Sequence, residues 1–295
     1  MPILTLPTRL AAAGAGLSRR SFLAMPAALS FALRASEKEA RWALLSDTHI
    51  PANPLEEYRG FKPVVNLAMV VRQLEKAKLD GAMICGDLAR LQGLAPDYEA
   101  LTELIEPIAS KFPLALVLGN HDDRANFLKA LGATQKSAQP VKGRHILAID
   151  SGPVEIITLD SLVAPNTTPG FLGKVQRDWL KERLAQQSKP TVLCVHHTLD
   201  DGDGSLLDAP RLLEIAKSAP AVKAIVYGHS HVYKYEVWEG IHLVNLPAVG
   251  YNFRDSEPLG WLETVFTPTG ASFTLHAVGG NLEKDGKTVT LKWRS

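Results

Sequence analysis

The tetrad Gly119-Asn120-His121-Asp122 sets an amide oxygen, an imidazole and a carboxylate side by side, and Asp123 adds a second carboxylate. Such a set could supply a metal ligand and a proton donor. Taken alone, it equally fits a Gly-Asn turn followed by an aspartate that opens a helix. Four further clusters have the same character: Asp47-Thr48-His49, Gly86-Asp87, His196-His197 and Gly228-His229-Ser230-His231. Asp and His at i and i+2 is a common ligand spacing, although a capped turn uses the same residues. The donors are carboxylate, imidazole and amide, with no thiolate among them. That mixture favours borderline or hard divalent ions such as Mn, Fe or Zn.

Each cluster follows a short apolar run that reads as a buried strand: residues 42–46, 82–85, 113–118, 191–195 and 222–227. In an α/β sheet the carboxyl edge of such strands is where ligands bind. Helical spacing predicts helices over 64–78, carrying Val65, Ala68, Met69 and Arg72 with Leu79 just beyond, and over 97–110, 123–132, 174–187 and 210–218. The helix over 174–187 shows Val175, Trp179, Leu180 and Leu184 as its apolar face. Residues 145–149 and 154–159 form a hairpin around Ser151-Gly152-Pro153, with His145 structural and Asp160-Ser161 a turn, a border of the site being the alternative; 135–143 is a polar loop. The acidic stretch 200–208 lacks the glycine and glutamate of a calcium loop and reads as a solvated turn. Beyond residue 232, strand-like segments alternate with turns, and Glu239-Gly240 and Asp285-Gly286 are hairpin signals. They are expected to form an antiparallel set completing a second sheet.

The chain has 295 residues, 46% of them hydrophobic, and a net charge of +1, which suits one globular enzyme domain with a sizeable core. No basic patch of nucleic-acid size and no acidic tail is visible. Cys85 and Cys194 each lie in an apolar run, as buried thiols on two core strands; a disulfide between them is left open. The N-terminus is different. Leu17-Ser18-Arg19-Arg20-Ser21-Phe22-Leu23 precedes an apolar run over 24–33 that is short for a bilayer and contains Pro26. It resembles a twin-arginine export signal, with an amphipathic surface helix as the alternative. Residues 1–36 are therefore expected to be a signal segment read by the twin-arginine machinery, cut near Ala32 or Ala35 or retained as an anchor. Residues 37–295 would be the exported, periplasmic domain, without a stable membrane span.

The five clusters, in this order and each after an apolar run, resemble the calcineurin-like metallophosphoesterase superfamily from about residue 42 to 246. The resemblance implies an α/β fold, a four-layer αββα sandwich of two mixed β-sheets flanked by helices. It implies two divalent ions, one held by Asp47, His49 and His231 and the other by Asn120, His196 and His229, with Asp87 bridging. His196 is taken over His197 because the family uses the first His of such a pair. His121 would face the substrate, stabilising phosphoryl oxygens or protonating the leaving group. Two such ions would acidify a bridging water into a nucleophile and clamp an in-line displacement on a small phosphate ester. No side-chain nucleophile with an activating base is visible.

Arg90 stands where the purple-acid-phosphatase branch has a tyrosine ligand to ferric iron, so a site of that type is not expected. The motif spacing and Asn245-Leu246-Pro247-Ala248 are closer to the bacterial cyclic-nucleotide and glycerophosphodiester phosphodiesterases. A phosphodiesterase is the leading reading. A phosphomonoesterase at the same site and a non-catalytic metal- or ligand-binding module are the alternatives. Arg90, Arg124, Tyr251, Asn252 and Arg254 are either substrate contacts or ordinary salt-bridge partners.

Overall fold

The computed structural model describes residues 38–131 and 139–295. The expected signal segment, with Arg19 and Arg20, lies outside the described residues, as do 135–138 of the polar loop.

Two six-stranded sheets stack face to face. The first runs in the order β12-β11-β10-β1-β2-β3 and the second β4-β5-β6-β7-β9-β8. In the first sheet β1 (Ala40–Leu45), β2 (Gly81–Cys85) and β3 (Leu114–Val117) are parallel neighbours. β4 (Ala148–Asp150) and β5 (Glu155–Leu159) form the expected hairpin, and β6 (Thr191–Val195) and β7 (Val222–Tyr227) continue parallel from β5.

These strands read as continuous apolar runs because both faces are covered. Along β1, Ala43 and Leu45 turn outward to α1 (Pro63–Leu74), α2 (Ala95–Ala109) and α3 (Arg124–Leu131), whereas Trp42 and Leu44 turn inward between the sheets. Along β6, Val192 and Cys194 face the other sheet, while Leu193 and Val195 face α4 (Lys174–Ala185) and α5 (Ala209–Ser218). The strand period of two thus builds three apolar layers from one pattern. The result is the expected sandwich of two mixed sheets between helices.

Three expectations are corrected. The segments after residue 232 do not build one sheet. β8 (Lys234–Trp238) and β9 (Ile241–Asn245) extend the second sheet, with β9 parallel to β7. β10 (Pro258–Thr267), β11 (Gly270–Gly280) and β12 (Thr288–Lys292) instead cover the open edge of β1 in the first. On α1 the buried residues are Leu67, Val70, Val71 and Leu74, while Val65 and Met69 are exposed. The helix is apolar on two faces, and the sheet takes the one with the denser aliphatic row. Val175 on α4 is exposed because Gln176 turns inward to bond the backbone of Asp160.

Candidate metal centre

Register explains why the five clusters meet. Leu45 pairs with Ile84, and Cys85 with Val117, so β1, β2 and β3 end level with one another. In the facing sheet, the residues after β6 and β7 are tied by a bond from the Gly228 amide to the His196 carbonyl, 2.9 Å. Both carboxyl edges open on the same side, and their loops converge.

The backbone there is strained. Asp47, His49, Asp87, His229 and His231 all have positive φ, between 46° and 69°. Conformations this sparsely populated cost roughly 1–3 kcal/mol each and persist where the surroundings enforce them. Glycine serves space as much as turning. Gly119 has no left-handed φ; a Cβ there would lie 2.2 Å from Asp87 Oδ1 and 2.8 Å from His196 Cδ2. At Gly86, with φ +81°, a Cβ would fall 2.3 Å from His196 Nδ1.

The side chains form one buried cluster. His49 Nε2 lies 3.1 Å from His231 Nε2, and Asp47 Oδ1 lies 3.4 Å from His231 Nε2. Asp87 divides its oxygens: Oδ1 is 3.3 Å from His196 Nε2, and Oδ2 is 3.6 Å from His49 Nε2. Asn120 Oδ1 is 3.3 Å from His196 Nε2. Ligand atoms of Asp47, His49 and His231 lie within 4.8 Å of one another, as do those of Asp87, His196 and His229, and of His49, Asp87 and His121.

Backbone carbonyls fix the imidazoles. His49, His196, His231 and His121 each direct Nδ1 at a carbonyl, of Arg90 (3.4 Å), Cys85 (2.8 Å), Tyr251 (2.6 Å) and Leu91 (2.8 Å) respectively. A carbonyl only accepts, so Nδ1 carries a proton and Nε2 is the nitrogen that faces the cluster, free to ligate wherever it carries no second proton. His197 is arranged differently. Its Nε2 donates to the Thr168 carbonyl at 3.0 Å and its Nδ1 accepts from the Ser161 hydroxyl at 2.7 Å, which commits both nitrogens.

The donor set fits divalent cations. Asp47 Oδ1 is buried without a hydrogen-bond donor, and the lone pairs of His49 and His231 face each other across 3.1 Å. Both arrangements are costly unless a positive charge sits among them. The electrostatics of the cluster point the same way. Burial pushes His49 down to about 3 and His229 to about 4. At His196 burial acts downward, but the Asp87 carboxylate outweighs it and lifts the imidazole to about 10. Burial works upward on Asp87 and Asp47, yet the neighbouring imidazoles hold both carboxyls below the usual range. The pull that holds a proton on His196 would equally hold a cation, so metal uptake and loss of that proton are coupled.

His121 sits at the open side, part-buried, with Nε2 4.0 Å from Asp87 Oδ2. Asp122, in the same tetrad, turns away from the cluster. It accepts the amides of Leu88, Ala89 and Gly119 and joins the two loops that carry Asp87 and Asn120. Of the candidate substrate contacts, Arg124 is engaged by Asp160 through two 2.7 Å bonds, and Asn252 donates to the Glu257 carbonyl. Arg254 is exposed. Tyr251 is buried against the rings of His49 and His231, each 4.7 Å away. Sequence reasoning missed the carbonyl acceptors, since any residue can supply one. It also missed Ser46, whose hydroxyl lies 2.5 Å from Asp47 Oδ2; its place beside Asp47 was the available signal.

The chain resembles known proteins in sequence and in fold. The chain is 28% identical over 240 residues to a probable cyclic nucleotide phosphodiesterase of Synechococcus, covering 78% of this chain and 88% of that one. It is 28% identical over 231 residues to a glycerophosphodiester phosphodiesterase of Enterobacter lignolyticus, covering 73% and 81%. The fold matches a dimetal phosphatase of Danio rerio with a TM-score of 0.68 at 13% identity, over 86% of this chain and 99% of that one. Residues 40–233 match the calcineurin-like phosphoesterase family, and the chain belongs to that family of phosphoester hydrolases.

Proposed function

We propose that the chain hydrolyses phosphodiesters, cyclic nucleotides or glycerophosphodiesters among them, at a dinuclear centre. Asp47, His49 and His231 would hold one ion; Asn120, His196 and His229 would hold the other. The observation that carries the reading is the division of Asp87, whose two oxygens face His196 and His49 separately. His197 is left out because both its ring nitrogens are already bonded. The donor set suits Mn, Fe or Zn.

Two divalent ions held there would supply Lewis-acid polarisation of the phosphoryl group and would acidify water at neutral pH. The chain's own residues do the rest. The Leu91 carbonyl holds His121 Nδ1–H, so a protonated His121 presents its second proton from Nε2 to the departing oxygen. The Ser46 hydroxyl and the His229 amide hold Asp47 Oδ2, which leaves Oδ1 towards the ion site.

Manganese-loaded protein assayed on a panel of mono- and diesters tests the activity. Preference for monoesters would make the chain a phosphomonoesterase, and bound metal without hydrolysis would make it a binding module. Asp87→Asn should abolish most metal binding and nearly all turnover in a folded protein; two equivalents of metal with ordinary activity would remove the dinuclear reading.

Residues 1–36 are proposed as a twin-arginine signal directing the domain of residues 37–295 to the periplasm, on the strength of Ser18-Arg19-Arg20-Ser21-Phe22-Leu23. Among the described residues no helix is long and apolar enough to cross a membrane. Lysine cannot reproduce the planar fork of arginine. Changing Arg19 and Arg20 to Lys should therefore leave active enzyme inside the cell, and normal export of that protein would discard the assignment.

A further inference from the structure

Two turns flank the His49 and His231 side of the cluster. The first is a two-residue hairpin in which Tyr58 and Phe61 exchange backbone bonds of 2.8 and 2.9 Å around Arg59-Gly60. Arg59 has φ 54° and Gly60 φ 83°, as a tight primed turn demands. That turn prefers Asn or Gly at its first position, so an arginine there is strained and points to a function. The Arg59 guanidinium lies 5.4 Å over the Phe253 ring and donates to the Phe253 carbonyl at 3.3 Å, which links the first turn to the second.

The second turn follows β9 and brings Tyr251 and Phe253. The Phe253 ring is 4.6 Å from that of His231, yet 46% of the residue is exposed. Tyr58 packs edge-on to Tyr251 at 4.6 Å and is itself exposed. Guanidinium groups lie over both rings, and the ring surface that still stays exposed beside a buried polar cluster is apolar area that a planar group can cover.

We propose that Tyr58 and Phe253, held by Arg59 and Tyr251, form a subsite for the nucleobase of a nucleotide phosphodiester. This rests on the phosphodiesterase reading and specifies its substrate class. Every base presents a π-face, and stacking on aromatic side chains recognises bases without regard to sequence. The charges argue against the other common guest of aromatic boxes, a quaternary ammonium group. The Arg90 guanidinium, paired with Glu56 at 2.7 Å, already sits 4.6 Å over Tyr58, and Arg59 lies 5.4 Å over Phe253, so the cation–π positions on both rings are taken. The rim also starts directly beside His231, within reach of a base joined through its sugar to a phosphate in the centre.

The test compares adenosine 3′,5′-cyclic phosphate with glycerophosphoethanolamine and glycerophosphocholine, which carry no base. In Phe253→Ala the ratio of kcat/KM for the nucleotide to that for glycerophosphoethanolamine should fall about 10-fold or more, mostly through KM, and Phe253→Tyr should restore it. Tyr58→Ala should move the ratio the same way. Equilibrium binding of adenosine 5′-monophosphate and of glycerol 3-phosphate is measured alongside, with metal content. The variant should lose affinity for the first and keep it for the second. An unchanged ratio, an equal loss on all three esters, or a loss confined to the choline ester would overturn the proposal. If no ester is hydrolysed, the phosphodiesterase reading falls by itself, and the binding measurement still decides whether a base is recognised.

Discussion

Asp122 Oδ1 accepts the Tyr98 hydroxyl at 2.9 Å, and the same hydroxyl accepts the amide of Asp123 at 2.9 Å. With the amides of Leu88, Ala89 and Gly119 also on its oxygens, Asp122 is a fully buried tie between the ends of β2 and β3. Asp122→Ala removes the acceptor of four buried donors, three amides and the Tyr98 hydroxyl, and should cost upwards of about 3 kcal/mol. Tyr98→Phe, which removes one hydroxyl, should cost about 1–2 kcal/mol. Urea denaturation of the metal-loaded proteins measures both. A fully stable Asp122→Ala protein that has lost only metal would make the residue a ligand instead.

Gly119→Ala separates space from flexibility. The backbone at Gly119 suits alanine, but the new methyl would meet Asp87 Oδ1 at 2.2 Å and the Asp87 amide at 2.3 Å. The strain falls on the carboxylate that faces both histidine groups. Metal affinity should therefore drop by tenfold or more, with a stability loss of about 1–3 kcal/mol typical of overpacking. Calorimetric metal titration that finds unchanged affinity would show that the Asp87 loop yields freely.

The metal-stripped protein should lose stability as pH falls from about 7 to 4. Burial holds His49 near 3, His229 near 4 and His197 well below its ordinary value of 6.5. Below pH 6.5 the unfolded chain therefore takes protons that the folded chain refuses, and stability present above that value is lost on acidification. Asp122 opposes this. Burial and the nearby Asp87 charge raise it from 3.8 to about 6, so in that window the folded state binds its proton first. His196, held near 10, opposes it as well between about pH 7 and 5.5, where the unfolded imidazole is still gaining a proton that the folded one already holds. Three depressed imidazoles against one raised imidazole and one raised carboxyl leave a net fall. Urea midpoints after chelation, at about pH 7, 5.5 and 4.5, check it; a flat or rising series on acidification contradicts the sign.

The site was legible because its information is local. Asp, His and Asn after short apolar runs are visible in one dimension, and parallel pairing levels the strand ends without further instruction. Choices that depend on partners distant in sequence were not visible. What commits both ring nitrogens of His197 is Ser161 and Thr168, which lie 36 and 29 residues away. Arg124 reads either as a substrate contact or as a salt-bridge partner, and Asp160, 36 residues away, decides for the second. The placement of β10 to β12 beside β1, and not in the second sheet, is likewise a matter of long-range pairing that alternation does not encode. The aromatic rim gave no motif, since Tyr58 and Phe253 are separated by most of the domain.

His121 offers the sharpest test of mechanism. Its ring is fixed by the Leu91 carbonyl, its Nε2 lies 4.0 Å from Asp87 Oδ2, and its side chain remains 19% exposed, unlike the buried His49, His196 and His231. A group so placed can meet a substrate and protonate its leaving oxygen, a contribution of about 10²–10⁴-fold. Such help matters most when the departing alkoxide is strongly basic and least for p-nitrophenolate, which leaves readily unaided. His121→Ala should therefore keep both metals, and its rate loss should grow with the pKa of the leaving group. If His121 instead stabilises charge on the non-bridging oxygens, the loss depends much less on the leaving group. Rates across a series of aryl and alkyl esters decide between them: a flat loss excludes general-acid catalysis by His121. Loss of metal from the variant would place His121 with His49 and Asp87, the third group of ligand atoms that the geometry brings together.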